Sequence, residues 1–339
     1  MALRCGPGSF KLWLLQEGMV TKMLRYLVKR FLMTITVLLL VIVFLAVLAH
    51  IVPGDPARAL LGPRASPEQI ARIRTEMDLD EPVHIQVVKF LQRVLRGDLG
   101  TDVFTRRSIN AMVADVLPHT LILTFTGLGL SVLMGIPLGI YSATHPDSFI
   151  DRLTALFSIS LIIIPTYVAG LALLLIFAVQ LKLVQSIGVG SPGNIVEYLR
   201  QLILPAVALA GTWVGYLARL VRTSLLEVLN ENYIRSARAG GLSERMISYK
   251  YALKNAMVPT FAVLGMGVGR LMGGAVFIEV VFTRPGMGTL IYNAIQLRNF
   301  PVVRAGVLVV TFLFVVINFL VDIGYTILDP RIKLNKIEN

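Results

Sequence analysis

Apolar residues run through this chain in long blocks separated by polar segments, without the strict alternation of a half-buried strand. Six blocks are long enough to cross about 30 Å of hydrocarbon, which takes about 20 helical residues. They cover 31–51, 119–141, 154–180, 202–221, 257–280 and 305–328, and each predicts a membrane helix. Ionisable residues inside or near the ends of these blocks are few: Arg219, Arg270, Glu279 and Asp322. The first block is too long for a signal-peptide core, and no small-x-small cleavage site precedes Pro53-Gly54-Asp55, so it is expected to remain as a helix.

Composition supports the bilayer as the environment. The 339 residues are 55% hydrophobic and 15% charged, against about 45–50% and about 25% in a soluble domain. A single cysteine, Cys5, cannot close an internal disulfide. In a soluble protein the net charge of +12 would suggest a nucleic-acid partner. Here it fits basic loops on one side of a membrane, and no nucleic acid is expected.

The distribution of Lys and Arg sets the orientation. Arg4, Lys11, Lys22, Arg25, Lys29 and Arg30 precede the first block; Arg222, Arg235, Arg238, Arg245, Lys250 and Lys254 follow the fourth; Arg331, Lys333 and Lys336 lie in the tail. The loops on the other side carry fewer, Lys182 with Arg200, and Arg284 with Arg298 and Arg304. Segment 53–118 balances nine basic against nine acidic residues, and loops beyond about 60 residues escape the rule in any case. Both termini are therefore expected in the cytoplasm. Residues 1–22 differ from the rest and read as an alternative upstream start or an extension, since Met23 makes a natural start. The expected organisation is an extension (1–22), a first span with a large outer loop (23–117), the main membrane domain (118–328) with a cytoplasmic loop near 222–256, and a tail (329–339).

The outer segment is patterned. Ser66-Pro67-Glu68-Gln69 starts a helix, with Ser as cap, Pro in the first turn and Glu third, running to Met77. Residues 83–95 predict a second helix with Val87, Phe90, Leu91, Val94 and Leu95 on one face. Such helices lie on the membrane surface, meet a partner, or form a lid over the spans.

The cytoplasmic loop after the fourth block carries more. Asn232 is placed to cap a helix over 233–239, Gly240-Gly241 to stop it in the left-handed conformation, and Ser243 to cap a further helix. Ala237 and Gly241, four apart, leave one side of the short helix nearly smooth, suited to a partner's groove. The alternative is a simple solvated hairpin.

Here the sequence resembles the permease subunits of ATP-binding-cassette importers of the dipeptide, oligopeptide and nickel type. The resemblance rests on Arg235-Ser-Ala-Arg-Ala-Gly-Gly-Leu242 with Ala252-Leu-Lys-Asn-Ala-Met-Val-Pro259, similar to the family's coupling loop. It rests also on His50-Ile-Val-Pro-Gly-Asp-Pro-Ala57, Gly97-Asp-Leu-Gly100, Phe282-Thr-Arg-Pro-Gly-Met-Gly288, Arg298-Asn-Phe-Pro-Val-Val303 and Asp329-Pro-Arg331, in order from Met23 to the tail. The sequence departs from the family pattern at Gly240, commonly Lys, at Tyr251, commonly His, at Asp102, commonly Ser, and at Arg284, commonly Trp.

The resemblance implies an all-α integral membrane protein of six transmembrane helices, with a type I importer permease fold, in a bacterial or archaeal cytoplasmic membrane. It implies a second homologous permease, two ATPase subunits and a periplasmic or lipid-anchored substrate-binding protein as partners, besides membrane lipid. Tyr233, Arg235, Ser236, Ala237, Arg238, Gly241, Leu242, Asn255 and Pro259 would couple to the ATPases. Arg235 and Arg238 would anchor the short helix electrostatically, and Ala237 and Gly241 would allow its close seat. Gly54, Asp55, Pro56, Gly97, Asp98 and Gly100 would meet the binding protein or the lid. Small peptides are the expected substrate class, with nickel chelates, glutathione, oligosaccharides and opines as alternatives.

Chemistry that is missing narrows the reading. No phosphate-binding Gly-x-x-x-x-Gly-Lys-Ser/Thr loop occurs, so ATP and magnesium would sit on partner subunits and no cofactor on this chain. His50, His84, His119 and His145 show no ligand spacing, no metal site is expected, and no catalytic constellation is present. Glu279 and Asp322 would pair with an arginine on a neighbouring helix or sit near an interface, or else relay protons. Gly265, Gly269 and Gly273 have the spacing of close helix packing, within the subunit or along a subunit interface or pathway. The rival from another class is an ion-coupled secondary carrier, which would call for paired broken helices with inverted symmetry.

Overall fold

The computed structural model describes residues 17–51, 57–58, 62, 65–77, 79–183, 188 and 193–328. Among them the regular elements are all helical, apart from one isolated bridge between Thr101 and Ser108. The long helices are α1 (Glu17–Ile51), α4 (Ile109–Thr144), α7 (Ile195–Leu229), α10 (Leu253–Val281) and α12 (Phe300–Leu328). Short ones are α2 (Pro67–Glu76), α3 (Val83–Leu95), α5 (Phe149–Ile163), α6 (Thr166–Leu173), α8 (Asn232–Ala239), α9 (Glu244–Met246) and α11 (Met287–Gln296). Five helices among the described residues are long and apolar enough to cross a membrane, or six when α5 and α6, extended by π-helical turns over Leu174–Gln180, count as one.

The long helices all begin ahead of their apolar blocks, because polar flanking residues outside the hydrocarbon do not stop a helix: α1 begins at Glu17, α4 at Ile109 and α7 at Ile195. The third is not one rod. Pro165 lacks an N–H and crowds the backbone before it, so Ile164 is extended (ψ 121°) and the two halves meet at 107°.

The centre is α4 against α7. Gly127, Ser131, Gly135 and Gly139, all buried, repeat every four residues and so share one face of α4. A Cβ on Gly135 would come within 3.0 Å of the Val214 carbonyl, and one on Gly139 within 2.6 Å of that of Ala218. The backbones therefore touch, as helices without a solvent-driven hydrophobic effect require. Around this seam Leu123, Leu209, Trp213, Leu217, Leu271 and Ile278 form the main core. At the α8 end of the bundle, Arg222 donates twice to Asp151 (2.6 and 2.9 Å), tying α5 to α7. By contrast α1 leaves Phe31, Leu40 and Phe44 54–62% exposed, the surface of a helix in lipid.

At the opposite end α2 and α3 cover the bundle. Ser66 caps α2 through a reciprocal pair with Gln69 (3.2 and 3.0 Å); Glu68, one residue short of that position, does not make the box. On α3, Phe90 is buried against Ile42 of α1 and Leu308 of α12, with Val87, Leu91 and Val94 beside it. Leu95, assigned to the same face from its spacing, ends the helix 78% exposed. The apolar face of α3 is thus packed against the spans α1 and α12.

Candidate functional site

The connection from α7 to α10 is built around one inserted side chain. Ile234 is fully buried among Ala143 of α4, Leu225 of α7, Ile247, Ala252 and Ala256. Ala237, one turn on, packs beside it, as does Leu242. The Ile234–Ala237 edge of α8 is therefore its seat on the bundle. Ala237 was expected on a smooth outward face; it lies inward, because the helix turns that edge to cover Ile234.

The ends of α8 follow local rules. Glu231, not Asn232, holds the cap position, extended (ψ 150°) and without a side-chain cap bond. At the other end only Gly241 is left-handed (φ +78°), while Gly240 stays at φ −75°. Its N–H bonds to the Arg238 carbonyl (3.1 Å) and that of Leu242 to Ala237 (3.3 Å), closing the turn. Ser243 then caps α9, accepting from the Met246 N–H at 3.4 Å. Wide π turns over Ile247–Ala252 lead into α10 and place Ile247, Ser248 and Ala252 inward.

The outward face is polar and cationic. Arg235, Ser236, Arg238, Gly240 and Gly241 are exposed, with Arg245, Lys250 and Lys254 nearby. The Tyr233 hydroxyl accepts from Asn255 Nδ2 at 2.9 Å, fastening α8 to the first turn of α10, and Ser236 back-bonds to the Asn232 carbonyl. Arg238 holds Glu244 through both carboxylate oxygens, one contact at 3.0 Å, and that hydrogen bond raises the Arg238 pKa. Pro259, also exposed, lies further along α10 and does not join this group. The loop carries charge, shape and a rigid seat, the attributes of a docking element.

The opposite end collects buried polar groups. The Thr120 hydroxyl donates to Glu279 Oε1 (2.6 Å) and accepts from the Met287 N–H (2.8 Å), while the Gly288 N–H donates to Glu279 Oε2 (2.7 Å). Glu279 was expected to pair with an arginine, to sit near an interface or to relay protons. Its hydrogen bonds come from a hydroxyl and a backbone N–H, and Arg284 acts on it electrostatically from nearby. Arg284 is buried beneath Tyr198, 5.3 Å from the ring centre, and donates to the Gln201 carbonyl. Burial lowers its pKa, against the pull of Tyr198 and Glu279. Asp102 accepts from Asn299 Nδ2, the Thr105 hydroxyl and the N–H groups of Phe104 and Thr105.

Gly97-Asp98-Leu99-Gly100 forms a closed turn beside these groups. Gly97 (φ +76°) and Gly100 (φ +95°) are left-handed, Asp98 accepts from the Gly100 N–H (2.8 Å), and Asn110 of α4 accepts from Leu99 (2.9 Å). Gly54, Asp55, Pro56 and the Asp322 side chain lie outside the described residues. Of the glycines on α10, Gly265 packs on Val321 and Gly269 on Phe314 of α12, inside the subunit, whereas Gly273 faces open space and packs on nothing within 4 Å. Sequence reasoning missed Ile234, the Asp151–Arg222 pair and the glycine seam of α4. Only the last has a sequence signal, its four-residue spacing.

Known proteins with this arrangement are transport components. Residues 135–334 match the family described as binding-protein-dependent transport system inner membrane component, and residues 23–124 the family of its N-terminal region. The glutathione transport system permease protein GsiC of Salmonella paratyphi A is 36% identical over 92% of this chain and 99% of its own length. A probable peptide ABC transporter permease protein, y4tP of Sinorhizobium fredii, is 37% identical over 91% and 99%. A structure of the MetNI methionine ABC transporter in an inward-facing conformation aligns at TM-score 0.50 and 20% identity, over 62% of this chain and 93% of that one. It shares the fold.

Proposed function

The chain belongs to the binding-protein-dependent transport system inner membrane components, a multi-pass permease subunit of an ABC importer, and we propose that it forms its pathway with a second homologous permease. In this reading six spans, with α5 and α6 as one, leave both termini and α8 in the cytoplasm. Two ATPase subunits receive one coupling helix from each permease and carry the ATP and magnesium. A periplasmic or lipid-anchored binding protein delivers substrate to the α2–α3 end, with the turn at Gly97–Gly100 a candidate contact. The substrate class is small peptides, glutathione among them, as the names of the relatives suggest.

The observation that carries this reading is the seat of α8. Ile234 fixes the helix to the ends of α4, α7 and α10, so a force on α8 moves three long helices together. ATP binding that draws two such helices together would favour one arrangement of the spans over another, and only that difference in affinity does work. The roles follow: Arg235 and Arg238 present charge, Tyr233 and Asn255 brace the helix, Ala237 and Leu242 seat it, and Gly241 turns the chain.

Gly241 supplies the test. A side chain there meets nothing within 4 Å, so only backbone strain opposes substitution. Asn tolerates a left-handed φ and a β-branched residue does not. In the reconstituted importer, Gly241→Val is expected to abolish uptake and binding-protein-stimulated ATP hydrolysis with the chain still in the membrane, and Gly241→Asn to retain most of both. Normal uptake by Gly241→Val would remove the loop from the mechanism.

A further inference from the structure

Arg270 lies near the middle of α10, on the face turned away from the core. Among the described residues it has neither a hydrogen bond nor an ion pair. Two other arginines of the bundle have partners: Arg222 in Asp151, and Arg284 in the Tyr198 ring and the Gln201 carbonyl. A guanidinium at mid-membrane depth is costly against lipid and marks a water-filled path or a ligand.

Arg270 lines a cavity of about 310 Å³, in the size range of small-ligand sites. Three elements close it. From α7 come Thr212, Trp213 and Tyr216; from α10, Arg270 and Gly274; and from the bend between α5 and α6, Thr166. Trp213 is buried, with Gly267 against its indole, and Tyr216 meets it edge-on at 5.5 Å while remaining 39% exposed. The wall is therefore rigid, aromatic and partly open. Thr166 begins α6 after Pro165, which offers no capping side chain, so the positive end of that helix adds to the field. Arg219, three residues beyond Tyr216, brings a second exposed guanidinium to the same face of α7, one turn nearer α8.

We propose that this cavity is a transmembrane subsite for the carboxylate of the transported molecule, with Arg270 as its counter-charge and Trp213 and Tyr216 as the wall against which the rest of it lies. The inference rests on the reading of the chain as a small-peptide permease. A guanidinium pairs with a carboxylate in planar, two-bonded geometry, and a short peptide always carries one at its C-terminus. The cavity rests on Leu209, Trp213 and Leu271 of the main core and is bounded by the exposed Arg270, whose face of α10 would look onto the pathway in the assembled importer.

The test is uptake of trialanine and of its C-terminal amide by the complete importer in vesicles, with ATP and at matched occupancy of the binding protein. Wild type is expected to carry the free acid about tenfold faster than the amide, the worth of one charge-assisted pair. Arg270→Gln is expected to bring the ratio near one by slowing the acid, and Arg270→Lys to keep most of the preference. An acid-to-amide ratio near one in wild type, or one unchanged by Arg270→Gln, overturns the proposal. So does an equal fall for both peptides, which would assign Arg270 to a carboxylate of the second permease. Wild type carrying neither peptide defeats the peptide reading itself, and it does so before Arg270 is altered.

Discussion

The two ends of the helical bundle handle polar groups in opposite ways. At the α2–α3 end, Thr120 reaches Glu279 and Asn299 reaches Asp102, pairs 159 and 197 residues apart, with all four side chains buried. At the α8 end, Arg238 meets Glu244 only six residues away, with both side chains about half exposed. A buried polar group must be satisfied within the chain, and losing one partner costs the desolvation of the other. An exposed pair forfeits little, because water replaces the bond. The first end thus spends its polar chemistry on holding the fold. The second is held by apolar Ile234 and keeps its polar surface for something outside the chain.

The sharpest way to break this comparison is Thr120→Val, which keeps shape and removes one hydroxyl. The Glu279 carboxylate and the Met287 N–H would both lose a partner in a buried site. The expected destabilisation is about 3 kcal/mol, the sum of two unsatisfied groups. Thermal unfolding in detergent should show a Tm several degrees lower. An unchanged Tm would mean that Glu279 does not hold the fold, and would return it to the candidates for proton movement.

Asp102→Asn should act more weakly, by about 1–2 kcal/mol, because an amide keeps one acceptor oxygen for the four donors around it. It also has a pH signature. Burial raises the Asp102 pKa, but the hydrogen bonds from Thr105, Asn299 and the N–H groups of Phe104 and Thr105 outweigh it and set it below the usual 3.8. A carboxylate with a depressed pKa contributes stability above its unfolded value, lost as pH falls through the folded one. Wild type should therefore lose stability below about pH 3.8. Asp102→Asn should lose less over the same interval. Identical acid limbs would mean that other carboxylates control the transition.

The same contrast decides what could be read from the sequence. The spans were legible because crossing a bilayer demands apolar blocks of a set length, and the α8 loop because Gly241 and Ser243 carry local conformational signals. The break in the third block was written only in Pro165, inside residues apolar enough to pass as one span. Glu279 with Thr120, and Arg284 with Tyr198, had no signature, because partners brought together by tertiary packing obey no spacing rule. Ile234 was hidden for another reason. In an eight-residue helix of mixed character, which edge turns inward depends on the helices beneath it, and the small residues Ala237 and Gly241 fit either answer.

The smallest expected effect on stability completes the comparison. Arg238→Gln removes an exposed ion pair, and Arg235→Glu reverses a charge on the solvent face of α8, so neither should shift Tm measurably. Their effects on coupling should differ from their effects on folding. If the α8 face docks on a partner by charge, Arg235→Glu places like charges together and should lower binding-protein-stimulated ATP hydrolysis about tenfold. Arg238→Gln should do less, because part of the Arg238 charge is already answered by Glu244. Stimulated hydrolysis falling while Tm holds would separate the two ends as function and fold. A Tm that fell in step with hydrolysis in both variants would make the loop one more piece of internal scaffolding, and the exposed charge of α8 would then need another explanation.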